Sequence, residues 1–344
     1  MLSLCTTYSY LSTYRPSVSL LISFQPEHHF SNPFQAFRFV SLIPFERLET
    51  IGGKRIEVWN TIHKFLAKGS GDVEDHCTLL CSLLLGFGLE AYIAIGTLKN
   101  ESQPSLHTWV ITRARNTDST EKGTLFWETT NGLRMKTNEI KEVYRTITCV
   151  FSEYEFYANI QEDDSVENAS YEFEDETKWK RMNKDILKST KHWNFPIKLL
   201  MGEKDSEAIS EETENAIRNL ITEYRHTAIN DMAVFDSELS SLLVPLLENY
   251  EMERVFGKSI EVDKAKMALS QVVPSGYSFK AFPIQVTSAD AKEIFAGIMQ
   301  NKTGRKILET KGDSVRFGMR VKAIVYPENA IGTWTLIAVK YLPL

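Results

Sequence analysis

The chain has 344 residues, of which 43% are hydrophobic and 24% charged, and carries a formal net charge of −6 at pH 7. That is length and apolar content enough for two well-packed domains, and the negative balance argues against non-specific binding to nucleic acid, whose phosphates would be repelled. The four cysteines, Cys5, Cys77, Cys81 and Cys149, form no CxxC pair and no regular disulfide spacing; this fits a reducing compartment, and no apolar run is long enough to predict a transmembrane helix.

Residues 1–36 are rich in Ser, Thr and Tyr and poor in acids. Their apolar piece, Ser17 to Phe24, lacks a preceding basic region and a small-residue cleavage site, so a poorly ordered leader is expected rather than a signal peptide. Phe37 to Ile43 reads as a short β-rich run, and Gly52-Gly53 as a turn. Residues 57–67 predict a helix with Val58, Ile62, Phe65 and Leu66 on one face.

The stretch from Gly69 to Gly96 is the most ordered in pattern. Asp72 is a good N-cap, and Asp75 places an acid in the first helical turn. Leu79, Leu80, Leu83, Leu84 and Phe87 recur almost all round the helix, which predicts burial on most faces, and Gly86 and Gly88 supply its stop. Residues 91–97, 107–112 and 124–130 predict three strands separated by polar loops, and residues 146–157 a fourth. From residue 161 the chain turns acidic and then flips basic at Lys178 to Arg181, so 161–205 is expected to be a solvated linker.

In the last segment, 206–344, Ser210 reads as the cap of a helix bearing Ile217, Leu220, Ile221 and Tyr224. A second helix carries Leu239, Leu242, Leu243, Leu246, Leu247 and Tyr250, with a kink expected at Pro245. A short helix around 289–299 and alternation at Val315, Phe317, Met319, Val321 and Ala323 predict an antiparallel sheet with a helix on it, Arg316, Arg320 and Lys322 facing solvent. The fold class expected is α+β: residues 37–160 as a buried helix packed on antiparallel strands, and 206–344 as a second α+β domain.

A helix start, then a strand His (His107), then a strand carboxylate (Glu128) is the chain order of a papain-type cysteine site. A thiol nucleophile belongs at the helix N-terminus, where unpaired N–H groups and the dipole lower its pKa. Val73 stands there, and an isopropyl group neither ionises nor attacks. Cys77 and Cys81 lie one and two turns along an apolar helix, where burial raises the thiol pKa; a nucleophile displaced to Cys77 is the alternative to a dead site. Asp72, His107, Trp109, Trp127 and Glu128 are the candidate lining of a peptide-binding cleft. His63, His76 and His107 have no zinc spacing, there is no P-loop, and Gly86-Phe87-Gly88 lacks the rest of a dinucleotide fingerprint, so no metal or other cofactor is expected.

At GDVEDHCTLLCSLLLGFGLEAYIAIGT, LHTWV and FWETTNG the sequence resembles the transglutaminase-like superfamily. Val73 falls on that pattern's Cys, His107 on its His, Trp109 on its aromatic and Glu128 on its Asp. RFVSLIPFE, EDETKWKRM, SGYSFKA followed by FPI, and VRFGMRVKAIVYPENA extend the resemblance, collinearly over residues 37–344, to the centrosomal protein of 76 kDa family. The resemblance implies a non-catalytic protein of the cytoplasm and cytoskeleton, at the centrosome, centriole or basal body, that restrains centriole duplication through contacts with centriolar proteins. It does not include the family's N-terminal C2-type region, which suggests a shortened homologue or a truncated gene model, and membrane contact is not expected without that region.

Overall fold

In the computed structural model, which describes residues 21, 26–46, 59–99, 106–113, 123–183, 197–202, 204–257 and 272–343, the chain divides into the units Met1–Leu199 and Leu200–Leu344. Each combines helices with an antiparallel sheet.

The first unit is built on the helix whose sequence is apolar nearly all round. After α1 (Pro33–Leu42) and α2 (Ile62–Lys68), α3 runs from Val73 to Gly86. The Asp72 carboxylate accepts from Asp75 N at 3.1 Å and so fixes its start. Leu79, Leu80, Leu83 and Leu84 are wholly buried, and α3 packs against α1, α2 and the sheet. Gly88, at φ +75°, turns the chain out of the helix in a conformation that a side chain would strain. The sheet comprises β1 (Glu90–Leu98), β2 (Leu106–Arg113), β3 (Thr124–Glu128), β4 (Leu133–Lys136), β5 (Tyr144–Phe151), β6 (Phe156–Asn159) and β7 (Trp179–Arg181), in the order β4-β3-β2-β1-β5-β6-β7.

Several local expectations change. Phe37 to Ile43 is not a strand: residues 37–42 lie in α1, capped by Asn32, whose side chain accepts from Phe34 N and Gln35 N. A helix that buries Phe37, Phe39, Val40 and Leu42 together shows no period to separate it from a buried strand. Because α1 begins at Pro33 and Phe30 and Ala36 are buried, the leader expected over 1–36 does not extend to its proposed end. The helix expected over 57–67 starts at Ile62, where Thr61 accepts from Lys64 N. Gly52-Gly53 lies outside the described residues. The strand expected over 146–157 is two, β5 and β6, joined by a turn closed by Ser152 N to Glu155 O at 2.8 Å.

The acidic segment brings the largest correction. Residues 161–181 are not a linker: 161–178 pack on the sheet and 179–181 are its edge strand β7. Val166, Ala169, Tyr171, Phe173 and Trp179 are buried in one cluster with Tyr92, Trp109 and Phe126. Tyr171 and Phe173 are buried while Glu172 and Glu174 are exposed, so the acids face away from the cluster. Arg113 clamps it, pairing with Glu90 and Glu174, donating to Tyr171 O at 3.0 Å and lying 4.6 Å over the Phe173 ring.

The second unit contains α4 (Ser206–Tyr224), prolonged by a π-helical turn (Arg225–Ile229), then α5 (Ser237–Ser241), α6 (Val244–Phe256), β8 (Ser278–Val286), α7 (Ala291–Gln300), α8 (Lys302–Leu308), β9 (Asp313–Val325) and β10 (Ile331–Leu342). Its sheet has the order β8-β10-β9. On one face Ile217, Ile221, Ile294, Ile298 and Ile307 meet Phe317, Met319 and Ile337; on the other Leu243 and Leu247 meet Leu336 and Ala338. Asp205, not Ser210, caps α4, and Pro245 opens α6 as a separate helix instead of kinking a longer one, since its missing N–H is harmless in a first turn. The face of β9 expected to be solvated carries α5 and α6; Gly318 gives the room, since a Cβ there would come within 2.7 Å of Leu239.

Ser210 has a different use. Ser206, Ser210, Glu214 and Arg218 form a stripe at four-residue spacing along α4, and all four bond the backbone of β9. Ser206 donates to Ala323 O, Ser210 accepts from Ala323 N at 2.9 Å, Glu214 accepts from Val321 N at 3.1 Å, and Arg218 donates to Met319 O at 3.1 Å. Four residues of helix advance about 6 Å and two of strand about 6.6 Å, so the side chains stay in step with the free edge and close it.

Candidate functional site

His107 is the second residue of β2 and Glu128 the last of β3. The strands pair antiparallel, Ile111 opposite Phe126 and Val110 opposite Trp127, so the start of β2 runs beside the end of β3. Alternation then puts His107, Trp109, Ile111, Phe126 and Glu128 on one face. Tyr144, at the start of β5, comes to the same place. His107 Nε2 is 2.8 Å from Glu128 Oε2, and the Tyr144 hydroxyl donates to that same oxygen at 2.8 Å. Thr130 supplies the other oxygen, Oε1, with its backbone N–H at 3.1 Å and its hydroxyl at 2.6 Å.

Burial alone would raise the Glu128 carboxyl, but the hydrogen bond and charge of His107 and the two donors of Thr130 outweigh it and hold the group below the ordinary carboxylate range. With an ionised acceptor opposite, His107 Nε2 is the donor and Nδ1 is turned away from the carboxylate. Burial, then the Glu128 charge, pushes the Tyr144 phenol well up, so it stays a donor. Three rings lie in a near-parallel pile: Trp109 on Tyr144 with centroids 4.1 Å apart, and His107 beside both at 6.4 and 6.2 Å. Gly96 underlies it, since a Cβ there would stand 2.6 Å from the Trp109 ring and 1.9 Å from Thr146 O.

Val73 is the first residue of α3 and is buried. One turn on, Cys77 Sγ lies 3.4 Å from Thr108 O and 3.6 Å from Thr129 Oγ1, next in sequence to His107 and to Glu128. Its thiol is pushed well up by burial and then by the Glu128 charge. Asp72 caps α3, and burial together with the Asp75 carboxylate raises its own carboxyl. Asp75 is held by the Asn60 backbone N–H and side-chain amide, and His76 joins Asp72 O at 2.6 Å to Ile43 O at 3.0 Å, tying the start of α3 to the end of α1.

His107, Trp109 and Glu128 are thus brought together; Trp127 is not with them. It faces the helices, donating from Nε1 to Thr112 Oγ1 at 2.9 Å and packing its ring against Phe34 and Phe37. Trp109, Trp127 and Glu128 are at most 2% exposed, and His107 alone of these reaches the surface, its side chain 13% exposed. Tyr144 and Thr130 are not among the site residues expected from the sequence. Thr130 could have been found, as a hydroxyl two residues after a strand-end carboxylate; Tyr144 carries no local signal. Among the described residues no group of three or more His, Cys, Asp or Glu is placed to hold a metal ion, and no helix is long and apolar enough to cross a membrane.

Residues 57–182 match the family described as CEP76 peptidase-like domain, and residues 202–342 the centrosomal protein of 76 kDa C-terminal domain. Centrosomal protein of 76 kDa from Xenopus tropicalis is 35% identical over 347 residues, and that from Homo sapiens 36% over 348, in each case covering 95% of this chain and 51% of the relative. The chain therefore spans about half the length of these relatives. Protein CC2D2B of Homo sapiens is 23% identical over 302 residues, 88% of this chain and 20% of that protein. Among solved structures, Legionella pneumophila LapG aligns with a TM-score of 0.31 and 15% identity, over 39% of this chain and 70% of that one.

Proposed function

Because the chain belongs to the centrosomal protein of 76 kDa family, we propose that it is a non-catalytic protein of the centrosome that restrains centriole duplication through protein contacts. In this reading the first unit is a transglutaminase-like domain that has kept its frame and lost its chemistry. Val73 occupies the nucleophile position at the head of α3, and that residue carries the proposal. The rest of the constellation serves as a brace: Glu128 joins β2, β3 and β5 through His107, Thr130 and Tyr144. Binding to a centriolar partner then uses the surface that His107 reaches, with Trp109 and Glu128 beneath it, and, separately, the second unit.

The competing reading is a cysteine peptidase or transamidase using Cys77, favoured by the closeness of its sulfur to the strands that bear His107 and Glu128. A buried thiol raised in pKa is a poor nucleophile, which weighs against it. The two part on one experiment. A Cys5→Ser chain is treated with iodoacetamide near neutral pH, and tagged copies of the chain and of His107→Ala are imaged in cells. Slow labelling of every cysteine in the folded chain, with a centrosomal spot for both proteins, supports the proposal. One thiol alkylated rapidly, and slowed by His107→Ala, overturns it in favour of Cys77.

A further inference from the structure

The second unit holds a groove of about 520 Å³ that none of the chemistry above uses. It lies between the N-terminal half of α4 and the start of α7, with the head of β10 as its floor. Ala208, Ala216 and Ala291 leave it shallow-walled, and Ile209 and Ile331 make its base apolar. Its rim carries Asp205, Glu212 and Asp290 against Lys204, three carboxylates to one ammonium.

Two helices begin here, an arrangement that usually invites an anion, but both are already answered from within. Asp205 Oδ1 accepts from Glu207 N and Ala208 N, and Asp290 Oδ1 accepts from Lys292 N. These bonds engage one oxygen of each carboxylate and leave the other without a hydrogen bond among the described residues. Glu212 is exposed and lines the groove one turn before Ala216. An apolar trough with acids along its edge matches a side chain that is apolar along its stem and cationic at its tip.

We propose that this groove docks a basic segment of a partner protein, with a Lys or Arg laid across Ile209 and Ile331 and its charged head held within the acidic rim that Asp205, Glu212 and Asp290 form. The occupant's chemistry follows from charge complementarity and from the trough, and it is independent of the first unit. Docking through one such side chain in water gives weak, salt-sensitive affinity, in the range of about 0.1–1 mM for a short peptide.

The test uses the full chain with labelled Ile methyl groups, followed by NMR, and two capped pentapeptides, Ala-Lys-Leu-Lys-Ala and Ala-Glu-Leu-Glu-Ala. The expected result is a titration of the Ile209 and Ile331 methyls with the Lys peptide, an effect at least about tenfold weaker with the Glu peptide, and suppression by salt. Glu212→Lys should weaken the Lys peptide by about tenfold; being exposed and without an ion pair to lose, it should leave the other methyl signals in place. Ala208→Trp, which fills the trough while keeping the acids, should abolish the shifts. Methyls that stay unmoved at about 2 mM Lys peptide, or shifts equal for both peptides or unchanged in both variants, would overturn the proposal.

Discussion

Glu128→Ala removes the acceptor shared by four donors: His107 Nε2, the Tyr144 hydroxyl and both donors of Thr130. His107 and Thr130 are near enough to the surface to recover water. Tyr144 is 1% exposed and cannot, so its hydroxyl is stranded at a cost of about 1–3 kcal/mol. Adding the lost bonds to a buried charge, the whole change should destabilise the first unit by about 3–5 kcal/mol. Glu128→Gln keeps acceptor oxygen for some of these donors but not the charge, and should cost about half as much. Urea unfolding read by tryptophan fluorescence reports it directly, since Trp109 is stacked on Tyr144. Acid sharpens the test. The folded carboxyl lies below its ordinary value, so its contribution is whole above about pH 4.5 and is lost as the pH falls through the lower folded value. The gap between the native chain and Glu128→Gln should therefore close on acidification. A midpoint for Glu128→Ala equal to that of the native chain, or a gap that holds constant down to about pH 2, would refute the brace.

Trp179→Ala should cost about 3–5 kcal/mol in the same urea assay, since it empties a site against Phe173 and removes the Nε1 donor to Ser170 O; a true linker residue would cost nothing. Gly96→Ala should destabilise by at least about 3 kcal/mol, since its Cβ would collide with Thr146 O and the Trp109 ring, and the loss should show as reduced near-ultraviolet dichroism. Glu214→Ala strips Arg218, Arg320 and Val321 N of a common acceptor and uncovers the edge of β9; light scattering should detect association of the variant under conditions where the native chain stays clear, with a stability loss of about 3 kcal/mol. Cys149, pushed up to about 12 by burial, should resist alkylation along with Cys77 and Cys81 until urea unfolds the first unit.

Sequence by itself determined the elements whose local pattern is strong. Asp72 as the cap of a buried helix, the strands at His107 and Glu128, and the inward alternation from Val315 to Ala323 follow from hydrogen-bonding capacity and period alone, and the structure repeats them. The absence of an ionisable atom at Val73 is likewise a fact of sequence. What only the tertiary structure decided is which faces meet. Phe37 to Leu42 is equally apolar as strand or helix, and becomes helix because Asn32 caps it and α3 covers it. Tyr171, Phe173 and Trp179 sit among acids that read as solvated, and burying those rings on the sheet outweighs the charge around them. Tyr144 joins Glu128 because β5 passes across the sheet, a contact between residues far apart in the chain that no local pattern encodes. The chain thus shows by itself that Val73 has no ionisable atom; that His107 and Tyr144 meet on one oxygen of Glu128, across three strands, was decided by packing.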